Sequence, residues 1–190
     1  GNLTNPDQKT SDVAEIFKLL GKSGIPSYYI PGPQDTPLVA FLREAYNIEL
    51  IFGSMHGVHG TFAFAPRHYL FAGMGGELVQ DPKKEPPESG SIQYEAWQVE
   101  YLFKVLKEMK DYPMIFLFAS QPKHRVASPE GSDELTQIIN THQPKLVIVR
   151  GEEYFERKLG SSLYICPGNA SKGTAAIIDF QDRSSQQIVV

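Results

Sequence analysis

Apolar residues along the chain fall into helical spacings, short alternations and a few unbroken runs, and each predicts an element. Val13, Ile16, Phe17 and Leu20 stand at i, i+3, i+4 and i+7, one helical face, and predict a helix over 12–20. Asp12 with Glu15 reads as a capping pair and Gly21 as the stop. Residues 27–30 predict a strand. Thr36 before Pro37 reads as an N-cap with proline at the first helical position. Leu38, Phe41 and Leu42 would carry that helix's buried face as far as Tyr46. Residues 49–52 read as a strand and 53–60 as a turn-rich connection. Strands are expected over 61–65 and 69–72, the second ending in Gly73-Met74-Gly75-Gly76. The three prolines and absent periodicity of 77–93 predict an exposed loop. Residues 95–110 predict the longest helix, with Trp97, Tyr101, Val105 and Met109 in steps of four, broadened by Leu102 and Leu106. The unbroken runs 114–118 and 146–149 suit strands buried on both faces. Between them Ser132 caps a helix with Leu135, Ile138 and Ile139 inward, ending near His142. Residues 163–166, 175–180 and 187–190 read as three closing strands, the last two joined at Asp182-Arg183-Ser184.

Strands alternating with helices, plus two meanders, argue for a layered α/β domain: two mixed sheets packed between helices, four layers in all. A chain of 190 residues is expected to be one domain, spanning 1–190, with no repeat, low-complexity segment or linker. The formal net charge of −4 and scattered basic residues make no field for nucleic acid. No apolar run approaches the roughly 20 residues of a membrane span, and no signal peptide opens the chain. One cysteine, Cys166, excludes an intrachain disulfide and a zinc-finger-type cluster and fits a reducing, cytoplasmic setting. It reads as a small buried hydrophobe. The sequons at Asn2 and Asn169 read as chance. The chain opens on Gly-Asn, not Met, and so reads as a fragment, a processed product or a tagged one.

Open α/β sheets place ligands at the carboxyl ends of their strands. Four junctions of that kind stand out: Gly1-Asn2-Leu3-Thr4, Gly32-Pro33-Gln34-Asp35, Ala119-Ser120-Gln121-Pro122 and Arg150-Gly151-Glu152-Glu153. The second lies inside Pro31-Gly32-Pro33-Gln34-Asp35, the most informative stretch of the chain.

The series resembles the calcineurin-like metallophosphoesterase superfamily. That family assembles a two-metal site from D-x-H, G-D, G-N-H-D/E, a lone His near a proline and G-H-x-H, commonly followed by an N-P-G-S turn. Here Gly1-Asn2 stands at G-D, and Gly32-Pro33-Gln34-Asp35 stands at G-N-H-D. Ala119 or Ser120 stands at the lone His, Gly151-Glu152-Glu153-Tyr154 at G-H-x-H, and Cys166-Pro167-Gly168-Asn169 at the turn. The match spans nearly the whole chain. It resembles more closely a small prokaryotic branch of phosphoesterases that already carries P-G-P-Q-D, as here. The resemblance implies the family's sandwich fold and a D-x-H motif upstream of Gly1. The strand, helix and second strand that go with that motif would then be missing, leaving a central edge for another segment to pair.

The residues at these positions depart from that chemistry. Two cations about 4 Å apart need several anionic or imidazole ligands. Asn2 is a neutral amide, Pro33 offers no ligand, Gln34 is neither acid nor base, Ala119 offers nothing and Ser120 a weak oxygen. Asn2, Asp35 and Glu152 remain as oxygen ligands for one hard cation, Mg²⁺, Mn²⁺ or Ca²⁺, or for none. Otherwise Asp35 caps the helix after it and Glu152 and Glu153 are solvated. His124, after Pro122, is the candidate acid, base or phosphate contact. His56 and His59 read as loop histidines, and His68 and His142 as structural or surface. Gly73-Met74-Gly75-Gly76 reads as a tight turn. Three functions follow. The first is an eroded family member, weakly or non-catalytic, that holds an anionic or phosphorylated small molecule through Gln34, Ser120, Arg150, Gly151 and His124. The second is an active metal-dependent phosphodiesterase or phosphatase using one oxygen-bound metal. The third is a structural subunit that docks a partner. A homo-oligomer is compatible with each.

Overall fold

Six strands make the central sheet: β3 (Thr61–Phe64), β4 (Leu70–Met74), β7 (Met114–Phe118), β8 (Leu146–Val149), β9 (Tyr154–Leu159) and β10 (Ser162–Pro167). Their order is β3-β4-β7-β8-β10-β9. The four inner strands run parallel, and β3 and β9 close the two sides antiparallel. All four parallel strands therefore end on the same edge. The computed structural model describes Leu3, residues 10–79 and residues 91–189, with backbone alone at 10–12. Asn2, the Asp12–Glu15 pairing and most of the 77–93 loop lie outside the described residues.

β7 and β8 are apolar at every position because both of their faces are covered. On one face lie α3 (Ala96–Leu102), its tighter continuation Phe103–Met109, and α4 (Asp133–His142). Val99, Phe103, Leu106, Leu135, Ile138 and Ile139 meet Phe116, Phe118, Val147 and Tyr164 there in the largest core. On the other face Ile115, Leu146, Leu163 and Ile165 are buried, while Phe71, Leu117 and Ile148 stay partly open. Two smaller sheets overlie that face. One pairs β1 (Ser27–Tyr29) parallel with β2 (Met55–Gly57), and the other is the hairpin of β11 (Thr174–Asp179) and β12 (Ser184–Val189). Outside β1 and β2 pack α1 (Thr10–Lys22) and α2 (Leu38–Ile51), through Val13, Phe17, Phe41, Ala45, Ile48 and Met55. The result is the mixed α/β sandwich that the alternation of elements predicts. No helix among the described residues is long and apolar enough to cross a membrane.

Several local expectations are corrected. α2 runs through Ile51 with Phe52 as its C-cap, so 49–51 is helix and not strand. Its N-cap is Pro37, without a side-chain bond, in place of Thr36. It buries Phe41, Ala45 and Ile48, whereas Leu42 faces outward. α2 is apolar on two sides, so its periodicity does not single out a face. Likewise α3 and its continuation bury Val99, Phe103 and Leu106 and expose Trp97, Tyr101 and Val105. β2, β9 and the parallel pair β5 (Glu77–Leu78) and β6 (Gln93–Tyr94) stand where no strand is expected. β2, β5 and β6 are two or three residues long and exist only through their partners.

Candidate functional site

The loop after β1 is bolted to the end of β4 and to the start of β6 by main-chain bonds. Pro31 O accepts from Gly76 N–H at 3.2 Å, and Pro33 O accepts from Ile92 N–H at 2.7 Å. A Cβ on Gly75 would lie 2.2 Å from Pro31 O, so only glycine lets the two segments approach this closely. Asp35 is 2% exposed, and its Oδ2 accepts from Gly32 N–H at 2.7 Å. That bond closes the loop on itself. The Pro33 and Gln34 side chains are left facing the cleft.

The loop after β7 continues the same edge, with Ala119 N–H donating to Met74 O at 3.2 Å. Ser120 Oγ accepts from Leu78 N–H at 2.7 Å, tying this loop to β5. Its own proton points at Gly76 O, a long 3.4 Å away. Below it lies the Tyr94 phenol, 3% exposed. Ser120 lies near enough to act on the titration of that phenol, yet among the described residues the hydroxyl meets no partner in hydrogen-bonding geometry. Burial pushes that phenol well above its ordinary range.

After β8, Arg150 N–H donates to Phe118 O at 3.1 Å, and Gln121 Nε2 donates to Arg150 O at 3.0 Å. Gly151 sits directly over Cys166: an added Cβ would be 2.6 Å from its Sγ and 2.9 Å from Gln121 Nε2. Cys166 is fully buried, and burial pushes its thiol up. Glu152 pairs with Lys172 at 2.8 Å and accepts from Asn169 Nδ2 at 3.0 Å. Those contacts, Lys172 first, hold its carboxyl below the usual range. Asn169 meanwhile caps the short turn Ala170–Lys172 by accepting from Ser171 N–H.

These loops enclose a cleft of about 1340 Å³ that brings together Pro33, Gln34, Ala119, Ser120, Arg150, Gly151 and Glu152. Asp35 and His124 do not line it. His124 Nδ1 accepts from Ala127 N–H at 3.0 Å and Val126 N–H at 3.2 Å, which places the ring proton on Nε2, 3.1 Å from Lys158 O. Both nitrogens are engaged with backbone. His59 Nδ1 accepts from Gly75 N–H at 2.9 Å and so props the end of β4, with burial lowering its affinity for a second proton. Sequence reasoning gives no role to Gln121, Tyr94 and Lys172. The first lies in a flagged loop, whereas Lys172 and Tyr94 reach the site only through the fold.

Glu130, Asp133 and Glu134 also line the cleft, and Asp133 pairs with Lys123 at 2.7 Å. Among the described residues no three His, Cys, Asp or Glu side chains converge as a metal ion requires. Those residues alone therefore do not fit the two-metal centre the fold implies, and no chemistry is derived through one.

A model of the metallophosphoesterases of the calcineurin superfamily matches residues 2–188. The crystal structure of the Thermus thermophilus protein TT1561 is 41% identical, with a TM-score of 0.93, over 100% of this chain and 83% of that one. Another solved structure is 26% identical, with a TM-score of 0.83, over 95% of this chain and 72% of its own. No curated protein matches the chain. With the cleft at the carboxyl edge of a mixed sheet and a family match along nearly its whole length, the chain belongs to the calcineurin superfamily of metallophosphoesterases.

Proposed function

We propose that this chain is a phosphoesterase-family protein whose cleft binds a phosphorylated or otherwise anionic small molecule and whose hydrolytic chemistry is weak or absent. One observation carries the reading. The junctions that bear metal ligands in the family hold Pro33, Gln34, Ala119 and Ser120, and Glu152 is already committed to Lys172 and Asn169. Beside them Arg150 faces the cleft and makes no ion pair among the described residues. A guanidinium suits a phosphoryl or carboxylate group through paired donors. Gln34 adds an amide at the cleft wall. Asp35, buried and bonded to Gly32, keeps the loop in shape. We place the protein in the cytoplasm as one domain, a setting that its single reduced thiol and phosphorylated metabolites share.

The test joins binding to turnover. The chain is titrated calorimetrically with a nucleoside monophosphate and with inorganic phosphate. It is then loaded with Mn²⁺, Mg²⁺ or Ca²⁺ and assayed on a generic phosphodiester, with bound metal measured. The expected outcome is binding that Arg150→Ala weakens by about 10- to 100-fold, the worth of a charge-assisted bond, with no metal-dependent turnover. Turnover that needs metal and falls with Asp35→Asn or Glu152→Gln sinks this proposal and makes the chain a one-metal hydrolase.

A further inference from the structure

α2 has two apolar faces and the fold uses one. Phe41, Ala45 and Ile48 point into the protein. On the opposite side Val39, Leu42, Tyr46 and Leu50 are 80%, 40%, 63% and 69% exposed. At 100° per residue these four fall within roughly 80° of arc, a continuous stripe along the helix. A soluble helix normally carries charge there. Here the stripe holds none, and Arg43 beside it is turned to Glu44 at 3.6 Å. Together the four side chains expose on the order of 450 Å² of apolar surface, the size of the largest patch on a typical monomer, which is often functional.

From this stripe we infer that the protein is a two-fold homodimer in which α2 packs antiparallel against α2 of a second copy. The spacing of three, four and four residues is that of side chains meeting another helix. The order of residues is self-complementary. A two-fold axis close to position 44 sets Leu42 across from Tyr46 and Val39 within one residue of Leu50, so each small residue has a larger one beside it, and does so twice. A symmetric dimer requires this kind of patch, one that matches itself when reversed. The area agrees. A standard interface buries about 800 Å² per partner, of which about 56–65% is apolar, or roughly 450–520 Å². The stripe supplies that apolar share unaided. The inference is independent of what the cleft binds.

Sedimentation velocity of the full chain at tens of micromolar tests it. The expected species has twice the 21.2 kDa chain mass. Leu42→Lys and Leu50→Lys, both at exposed positions, should keep the circular dichroism of the parent and weaken the dimer by at least about tenfold each. The variant Val39→Cys/Leu50→Cys should cross-link two chains under mild oxidation, since Cys166 is buried and cannot compete. Trp97→Lys, on the exposed face of α3, should leave the dimer unchanged. A monomer at every concentration overturns the inference. So does a dimer that survives Leu42→Lys and Leu50→Lys, one that Trp97→Lys disrupts in their place, or a Cys variant that stays uncross-linked.

Discussion

Gly151 joins the cleft to the core, and Gly151→Ala measures how tightly. The added methyl would stand 2.6 Å from Cys166 Sγ and 2.9 Å from Gln121 Nε2. The two neighbours differ in their freedom. Gln121 is a long side chain at the cleft wall and can retreat by giving up its bond to Arg150 O. Cys166 is fully buried in β10 and has no room to move. Overpacking of this kind costs about 1–3 kcal/mol. For a chain of this size each kcal/mol lowers the melting temperature by about 2–4 °C, so the variant should melt roughly 2–12 °C earlier. Removing the sulfur separates the causes. Cys166→Ala alone leaves a small void and costs about 1–2 kcal/mol. In Gly151→Ala/Cys166→Ala the new methyl occupies the vacated space, so the double variant should be more stable than the sum of the singles by about 1–3 kcal/mol. Urea denaturation of the four proteins at neutral pH closes the cycle. The thiol is pushed up by burial and stays protonated there, so no charge is altered. A neutral Gly151→Ala, or single effects that simply add, would refute the reasoning.

Tyr94→Phe removes a buried hydroxyl that has no hydrogen-bond partner among the described residues, so it should leave stability unchanged or raise it by up to about 1 kcal/mol in the same denaturation assay. Ser120→Ala removes the acceptor of Leu78 N–H, which should cost about 1–3 kcal/mol and speed hydrogen exchange at the Leu78 amide by roughly the matching factor. His59 is held neutral by burial and by its bond from Gly75, so the unfolded chain takes up that proton first as pH falls. Stability should therefore drop as pH falls through about 6.5, level off below the lowered folded-state value, and lose that slope in His59→Gln. His142, also lowered by burial, would leave a residual pH dependence of the same sign in that variant.

Elements whose own residues decide their state were legible in the sequence. β7 and β8 match their apolar runs end to end, because a strand buried on both faces admits nothing else. The start of α4 was legible as well, since Ser132 accepts from Leu135 N–H as an N-cap should. What escaped is what depends on partners. Glu49 looks like part of a strand, yet its carboxylate reaches across to Tyr29 Oη at 2.7 Å and Gly57 N–H at 2.6 Å from the side of a helix. Trp97, Tyr101 and Val105 have the spacing of a buried stripe and face solvent, because Val99, Phe103 and Leu106 fit the sheet better. At the site, the loops and their order could be read, and Gln34, Ser120, Arg150, Gly151 and Glu152 do gather at one cleft. His124 does not join them, since its ring answers to Ala127 and Lys158, and no spacing along the chain could reveal that.

The cleft loops are fastened chiefly through backbone atoms: Gly76 to Pro31, Ile92 to Pro33, Ala119 to Met74 and Arg150 to Phe118. None of those bonds depends on the side chain at 33, 34, 119 or 152. Folding and chemistry thus draw on separate atoms of the same loops. A lineage can then rewrite what the cleft does without passing through an unfolded intermediate sequence. The arrangement acts as a socket whose contacts are exchangeable, and this chain is one wiring of it.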